Sequence, residues 1–242
     1  MTKYAIVLGA TGGIGQAICK ELAEDGWSLY LHYYSNEQRA LDLCEELTNA
    51  YRDLRFIRVQ ADFLAEDGAV RLAEQIQEVH AIVVANGQAM NKLLSDTSTA
   101  DMAALWHVHM QNPATLIQLL AYKLRKHAQS YIVFIGSIWG NTGAAGEVMY
   151  SAVKGAQHAF VKAYAKEASY AGVRVNAVAP GWIETRMNED IPEEEKVLVL
   201  EEIPLLRTGY PDEIAKMVRF LISGNADYMT GEIVKINGGW YI

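Results

Sequence analysis

The amino-acid sequence predicts a doubly wound α/β domain, a seven-stranded parallel sheet with helices on both faces. Three observations carry that prediction. Strand-like and helix-like hydrophobic patterns alternate from the start of the chain. The strand-like runs are apolar nearly throughout, the pattern of strands covered on both faces of a parallel sheet. A glycine cluster, Gly9-Ala10-Thr11-Gly12-Gly13-Ile14-Gly15, joins the first strand to the first helix, the place where such sheets bind phosphate groups.

The elements follow in order. Tyr4–Leu8 is a short apolar run ending at glycine. Ile14–Asp25 has helical spacing, with Ile14, Ala17, Ile18 and Leu22 on one face and Gly26 as its stop. Leu29–Tyr33 is the second strand, and Gln38–Tyr51 a helix with Leu41, Cys44 and Leu47 on one face. Phe56–Ala61 is the third strand and Val70–Val79 the helix after it. Ala81–Ala85 and Ile132–Ile135 are β-rich runs, Ala156–Ala171 is a long helix, and Arg174–Val178 and Ile233–Ile236 are the last strands. Right-handed crossovers between parallel strands place ligands at the carboxyl ends of those strands. No linker-like stretch divides the 242 residues, so 1–242 reads as one domain.

Composition narrows the function. Half the chain is hydrophobic (51%) and 21% is charged, the balance of a packed globule. The net charge of −8 argues against nucleic acid and anionic membrane as partners, because both select basic patches. Apolar runs such as Ala81–Ala85 are too short to span a bilayer, and no signal peptide is visible. Cys19 and Cys44 fall in predicted helices and read as reduced thiols of a cytoplasmic protein. His32, His80, His107, His127 and His158 show no metal-ligand spacing, so no catalytic metal is expected.

The glycine cluster reads as a dinucleotide cradle. Glycines let the backbone approach a pyrophosphate, and the free N–H groups of the following helix face the anion. The spacing Gly9, Gly13, Gly15 departs from G-x-G-x-x-G but works the same way. The second strand ends His32-Tyr33-Tyr34-Ser35-Asn36, with no carboxylate before Glu37. A 2′-phosphate would meet no repulsion there, and Ser35, Asn36 or Arg39 can bind it, which favours NADP over NAD. Against this, Gly12 brings no positive charge to the loop. Asp62 reads either as an acceptor for the adenine amino group or as a helix N-terminal acid.

Catalytic chemistry reads from Tyr150-Ser151-Ala152-Val153-Lys154. Residues at i and i+4 share a helix face. An ammonium beside a phenol favours phenolate and is expected to lower the phenol pKa from about 10 toward neutrality, giving a general acid for a developing alkoxide. Tyr122 and Lys126 repeat the spacing, so context must separate them. Ser137 follows the strand ending at Gly136 and precedes Tyr150 by thirteen residues, whereas the residue thirteen before Tyr122 is His109, inside a helix.

With these residues in place the chain resembles the short-chain dehydrogenase/reductase family, and is most similar to bacterial 3-oxoacyl-acyl-carrier-protein reductases. The resemblance rests on the glycine loop, Asp62, Ser137, Tyr150, Lys154, the run Val175-Asn176-Ala177-Val178-Ala179-Pro180-Gly181 and the tail Asn237-Gly238-Gly239. It implies a Rossmann sheet of order 3-2-1-4-5-6-7, a homotetramer and NADPH-dependent ketone reduction by Ser137, Tyr150 and Lys154. It also implies cofactor contacts from Gly9, Thr11, Gly12, Gly13, Ile14, Tyr33, Ser35, Asn36, Asp62, Asn86, Gly87, Tyr150, Lys154, Pro180, Gly181, Ile183 and Thr185. Met187–Leu206 would be a mobile lid.

Three positions depart from the family pattern. Leu8 replaces a threonine, Val84-Ala85-Asn86-Gly87 replaces Asn-Asn-Ala-Gly, and His109 stands where the catalytic tetrad has asparagine. The family asparagine holds a water in the proton relay, so His109 reads either as holding that water and titrating near neutral pH, or as merely packing in the helix interface.

The substrate has two readings. One is a 3-oxoacyl thioester on acyl carrier protein. The other comes from Ser137-Ile138-Trp139-Gly140, Gly143–Val148 and Lys154-Gly155-Ala156-Gln157, which resemble a Firmicutes subgroup that reduces the 5-aminopentanone group on elongation factor P. Two positions where the family docks acidic carrier protein through basic side chains read Ala128 and Ala171, with Lys126, Lys166 and Arg174 nearby. A third reading, from another class, is a non-enzymatic nucleotide-sensing protein; loss of Tyr150 or Lys154 would mark it, and both are present.

Overall fold

A computed structural model describes residues 2–185 and 192–242. Its strands are β1 (Lys3–Leu8), β2 (Trp27–Tyr33), β3 (Phe56–Gln60), β4 (Ala81–Val84), β5 (Ser130–Ile135), β6 (Val173–Pro180) and β7 (Ile233–Ile236). They form one seven-stranded sheet in the order β3-β2-β1-β4-β5-β6-β7, and every pairing is parallel. The helices are α1 (Gly13–Glu24), α2 (Glu37–Ala50), α3 (Gly68–Gln75), α4 (Thr99–Trp106), α5 (Asn112–Leu124), α6 (Trp139–Thr142), α7 (Val148–Ala168), α8 (Glu193–Glu202) and α9 (Pro211–Ile222). Among the described residues no helix is long and apolar enough to cross a membrane.

Successive side chains on a strand point to opposite faces, so the apolar runs feed two cores. On one face Ile6, Leu8, Ile82, Val84 and Phe134 pack with Leu72 of α3, Leu116 of α5 and Val161 of α7. On the other, Val7, Leu29, Leu31 and Val133 pack with Ile18 and Leu22 of α1, Leu47 of α2 and Val218 of α9. Full burial of one such side chain stabilises the fold by about 1.5–3 kcal/mol.

Two element boundaries differ from expectation. Helix α7 begins at Val148 rather than Ala156, so Tyr150 lies on its first turn and Lys154 on its second. Gly155 interrupts the apolar period, and a Cβ there would meet the Gly140 carbonyl oxygen at 3.5 Å, an ordinary van der Waals contact. Tertiary packing here overrides local propensity. Helix α3 stops at Gln75, and the buried Ile76 and Val79 that extended its pattern lie in the connection to β4. The sequence also hid a π-helical turn, His107–Gln111, that joins α4 to α5 with helical dihedrals at both junctions. Such turns recur at functional sites. The expected lid at 187–206 has residues 187–191 outside the described residues, and its described part carries α8.

Candidate active site

The strand order reverses between β1 and β4, which opens a crevice at their carboxyl ends. Gly9, directly after β1, has φ +72°, and a Cβ on it would lie 2.7 Å from the Cα of Asn86, just after β4. A Cβ on Gly15 would run into the Gly9 carbonyl oxygen. Both positions therefore require glycine. Gly13 faces Thr185, whose Cγ2 would lie 3.0 Å from an added Cβ. Gly12 caps α1 without a side-chain hydrogen bond, which leaves N–H groups of the first turn for an anion. Asn86 donates from Nδ2 to the Val108 carbonyl at 2.7 Å, while its buried Oδ1 has no partner. A cradle that any side chain would fill and an orphaned acceptor beside it fit a dinucleotide.

His32, passed over as bland in the sequence, holds this loop. Its Nδ1 accepts the Gly9 N–H at 3.1 Å, and its Nε2 donates to the Ala61 carbonyl at 3.2 Å. Burial pushes its pKa down to about 4, so the ring stays neutral in this tautomer near pH 7. A polar residue inside an otherwise apolar strand was the available signal.

At the outer end of the crevice, Tyr33 is buried at the tip of β2, and Ser35 and Asn36 are exposed. The Asn36 side chain caps α2 by accepting the Arg39 N–H at 3.1 Å. The Arg39 guanidinium donates to the Gln16 side chain of α1 at 3.2 Å. Asp62 Oδ1 accepts the Leu64 N–H at 2.8 Å and so stabilises its own turn.

The inner end is a cavity of about 420 Å³ lined by Ile14, Asn86, Gly87, His109, Ser137, Tyr150, Lys154, Pro180, Gly181, Ile183 and Thr185. All the expected catalytic residues thus converge on one space. Glu147, Trp139, Trp182 and Trp240 also line it; Trp139 and Glu147 lie in the segments that carried the aminopentanone resemblance, whereas Trp182 and Trp240 had no expected role. Tyr122, the decoy, is exposed, and Lys126 lies beyond the end of α5.

Ser137 Oγ accepts the Trp139 N–H at 3.2 Å, which leaves its own hydrogen free to donate toward the phenol. The resting phenol differs from expectation. Burial, followed by the Glu147 carboxylate, pushes the Tyr150 pKa up to about 12, and the Ser137 hydrogen bond only partly opposes this. Lys154 is buried, donates to the Ile135 carbonyl at 2.9 Å and has its Nζ 5.6 Å from the Tyr150 ring centroid. Burial brings its pKa down to about 7. Desolvation dominates the phenol, and the acidifying attraction expected from Lys154 is not among the influences on it.

His109 lines the same cavity but does not titrate near neutral pH. It lies on the π turn, 5.7 Å from the Tyr150 ring and edge-on to it. Its Nε2 lies 3.2 Å from the Gln88 nitrogen and 3.1 Å from the Gln88 oxygen, and its carbonyl accepts from Gln157 at 2.8 Å. Burial first and the Lys154 charge second push its pKa down to about 3. The ring is therefore neutral near pH 7, with one N–H and one acceptor nitrogen. His109→Asn is expected to stay active with the parent's pH–rate profile between about pH 5 and 8; a lost inflection in that profile would show that the ring titrates in the relay.

The histidines absent from sequence spacing meet elsewhere. His80, His127 and Glu78 come within metal-binding distance of one another at the amino end of β4, opposite the crevice. His80 Nδ1 accepts the Tyr4 N–H at 3.1 Å, which places its proton on Nε2 and not a lone pair.

Fold and site together define an oxidoreductase: the chain belongs to the short-chain dehydrogenase/reductase family. The family profile described as enoyl-(acyl carrier protein) reductase matches residues 9–241. An oxidoreductase of Bacillus subtilis (strain 168), YmfI, described as uncharacterized, is 42% identical over 242 residues, covering 100% of both chains. The 3-oxoacyl-[acyl-carrier-protein] reductase FabG of Aquifex aeolicus is 36% identical, with 99% of this chain and 97% of the relative covered. Among solved structures, a blue fluorescent protein from a metagenomic library in complex with NADPH has a TM-score of 0.93 at 28% identity, covering 99% of this chain and 98% of that one.

Proposed function

We propose that the protein reduces a ketone to an alcohol with NADPH, the substrate being a 3-oxoacyl thioester presented on acyl carrier protein. The observation that carries the chemistry is the convergence of Ser137, Tyr150 and Lys154 on one cavity beside the glycine cradle. Bound NADPH supplies the hydride. Ser137 orients the carbonyl oxygen through its hydroxyl. Tyr150, which keeps its proton up to about pH 12, donates it to the developing alkoxide. Lys154 lies close enough to offset the phenolate charge as it forms. Asn86 Oδ1, Arg39 and the first turn of α1 would hold the cofactor. The FabG relative and an acetoacetyl-CoA reductase of Allochromatium vinosum, 28% identical, support the thioester. The test is NADPH oxidation with an acetoacetyl thioester.

NADPH is expected to be preferred over NADH by at least about tenfold, from charge-assisted contacts to the 2′-phosphate. Tyr33→Asp should shift the preference toward NADH by like-charge repulsion. Equal use of both cofactors by the parent would remove the NADP assignment.

A second substrate reading, the 5-aminopentanone group on elongation factor P, is favoured by Glu147. This half-buried carboxylate faces the cavity among Trp139, Trp182 and Trp240, and burial raises its pKa. A carboxylate with aromatic neighbours suits a substrate ammonium. Glu147→Gln is expected to lower kcat/KM for the aminopentanone substrate by about 10- to 100-fold, the worth of a charge-assisted hydrogen bond, and to spare the acetoacetyl thioester. Equal losses on both substrates would rule out an ammonium subsite at Glu147.

A further inference from the structure

We propose that His158 is a positioning residue for Ser137, an inference that rests on the reductase reading above. His158 lies on α7 one turn after Lys154 and is 4% exposed. Its ring is wedged beneath the segment that carries Ser137. A Cβ on Gly136 would collide with Nε2, and a Cβ on Gly140 would lie 2.7 Å from Cε1 and 2.9 Å from Nδ1. These two glycines bracket Ser137 in the chain, so the imidazole sets how closely the segment approaches α7.

The ring is polar where an apolar one would pack as well. Neither ring nitrogen has a hydrogen-bond partner, although the Gly140 backbone is near enough to favour protonation. Burial, then the charges of Lys154 and Lys162, keep the ring neutral, with a pKa down to about 4. Two unsatisfied buried nitrogens are unfavourable compared with a hydrocarbon side chain of similar size. A hydrogen bond that tightens during the reaction would offset that cost, and apo geometries of such contacts are commonly long. The Gly140 carbonyl is the available acceptor. Gly140 is tied to Ser137, since the Gly140 N–H donates to the Ser137 carbonyl at 3.0 Å. When the segment closes on the substrate, His158 donates to Gly140 and holds the Ser137 hydroxyl against the ketone oxygen.

The test compares His158→Leu with His158→Asn in the full chain. The readouts are Tm, NADPH Kd by fluorescence, and kcat and KM for a ketone that the parent reduces. His158→Leu should keep or raise Tm, leave Kd and KM within about twofold, and lower kcat about tenfold, the scale of one hydrogen bond. His158→Asn, whose Nδ2 takes the place of Nδ1 beside Gly140, should recover most of kcat. Parental kcat in His158→Leu would overturn the proposal, as would a His158→Asn variant no faster than His158→Leu. If His158→Leu does not fold, His158→Met takes its place beside His158→Asn, and equal kcat in those two would overturn it. A parent that reduces no ketone at all removes the reductase reading and this proposal with it, a result separate from an active parent with an indifferent His158.

Discussion

Tyr150→Phe is expected to lower kcat by on the order of 10²-fold or more, the range of general acid catalysis, with NADPH binding nearly intact. Phenylalanine keeps the ring that lies edge-on to His109 and removes only the hydroxyl that Ser137 faces. The phenol is protonated throughout the working pH range, so its loss cannot be offset by changing pH. Stopped-flow NADPH oxidation and a fluorescence titration of cofactor binding check the two halves separately. A variant with substantial turnover would mean that some other group gives the proton. The control is Tyr122→Phe, which should behave as the parent does.

Lys154→Met is expected to have a comparable effect on turnover, on the order of 10²-fold, and a distinctive signature in pH. In the free protein burial brings the lysine pKa down to about 7 from 10.5. The charged form that offsets phenolate is therefore lost as pH rises through about 7, and the parent's kcat/KM should fall across that region. Lys154→Met should show a low, flat profile. Stability runs the other way. Between about pH 7 and 10.5 the unfolded chain holds a proton at this site that the folded chain has released, so folding stability should rise with pH in that window. Below pH 7 the buried charge opposes folding in full. Lys154→Met removes that opposition and should be more stable than the parent at pH 6 in urea denaturation. A parental pH–stability slope in the variant would place the titrating group elsewhere.

The sheet was legible because burial on both faces leaves a strong trace: β2, buried at all seven positions, reads as an apolar run from Leu29 to Tyr33. Ser137, Tyr150 and Lys154 were legible because their spacing and their place beside a strand tip are local. What escaped depends on contacts between distant segments. His32 matters because Gly9 folds over it from another strand. Glu147 matters because the chain returns it to a tryptophan-lined cavity. The protonation states of Tyr150, Lys154 and His109 were misjudged for one reason. Sequence shows which charges are neighbours but not how much water has been removed, and here desolvation is the largest influence on each.

The π turn at His107–Gln111 acts as a phase shifter in an otherwise continuous rod. It accommodates one residue more than an α-helical turn, and one residue corresponds to about 100° of rotation. Its presence sets the phase between α4, which packs on α7, and α5, which packs on β4, while His109 lies edge-on to Tyr150. The unit that matters in this stretch is thus the number of residues as much as their identity. Substitutions within 107–111 would change side chains one at a time, whereas a single deletion would re-index every contact upstream, turning the faces of α4 out of register with the crevice and carrying His109 away from Gln88.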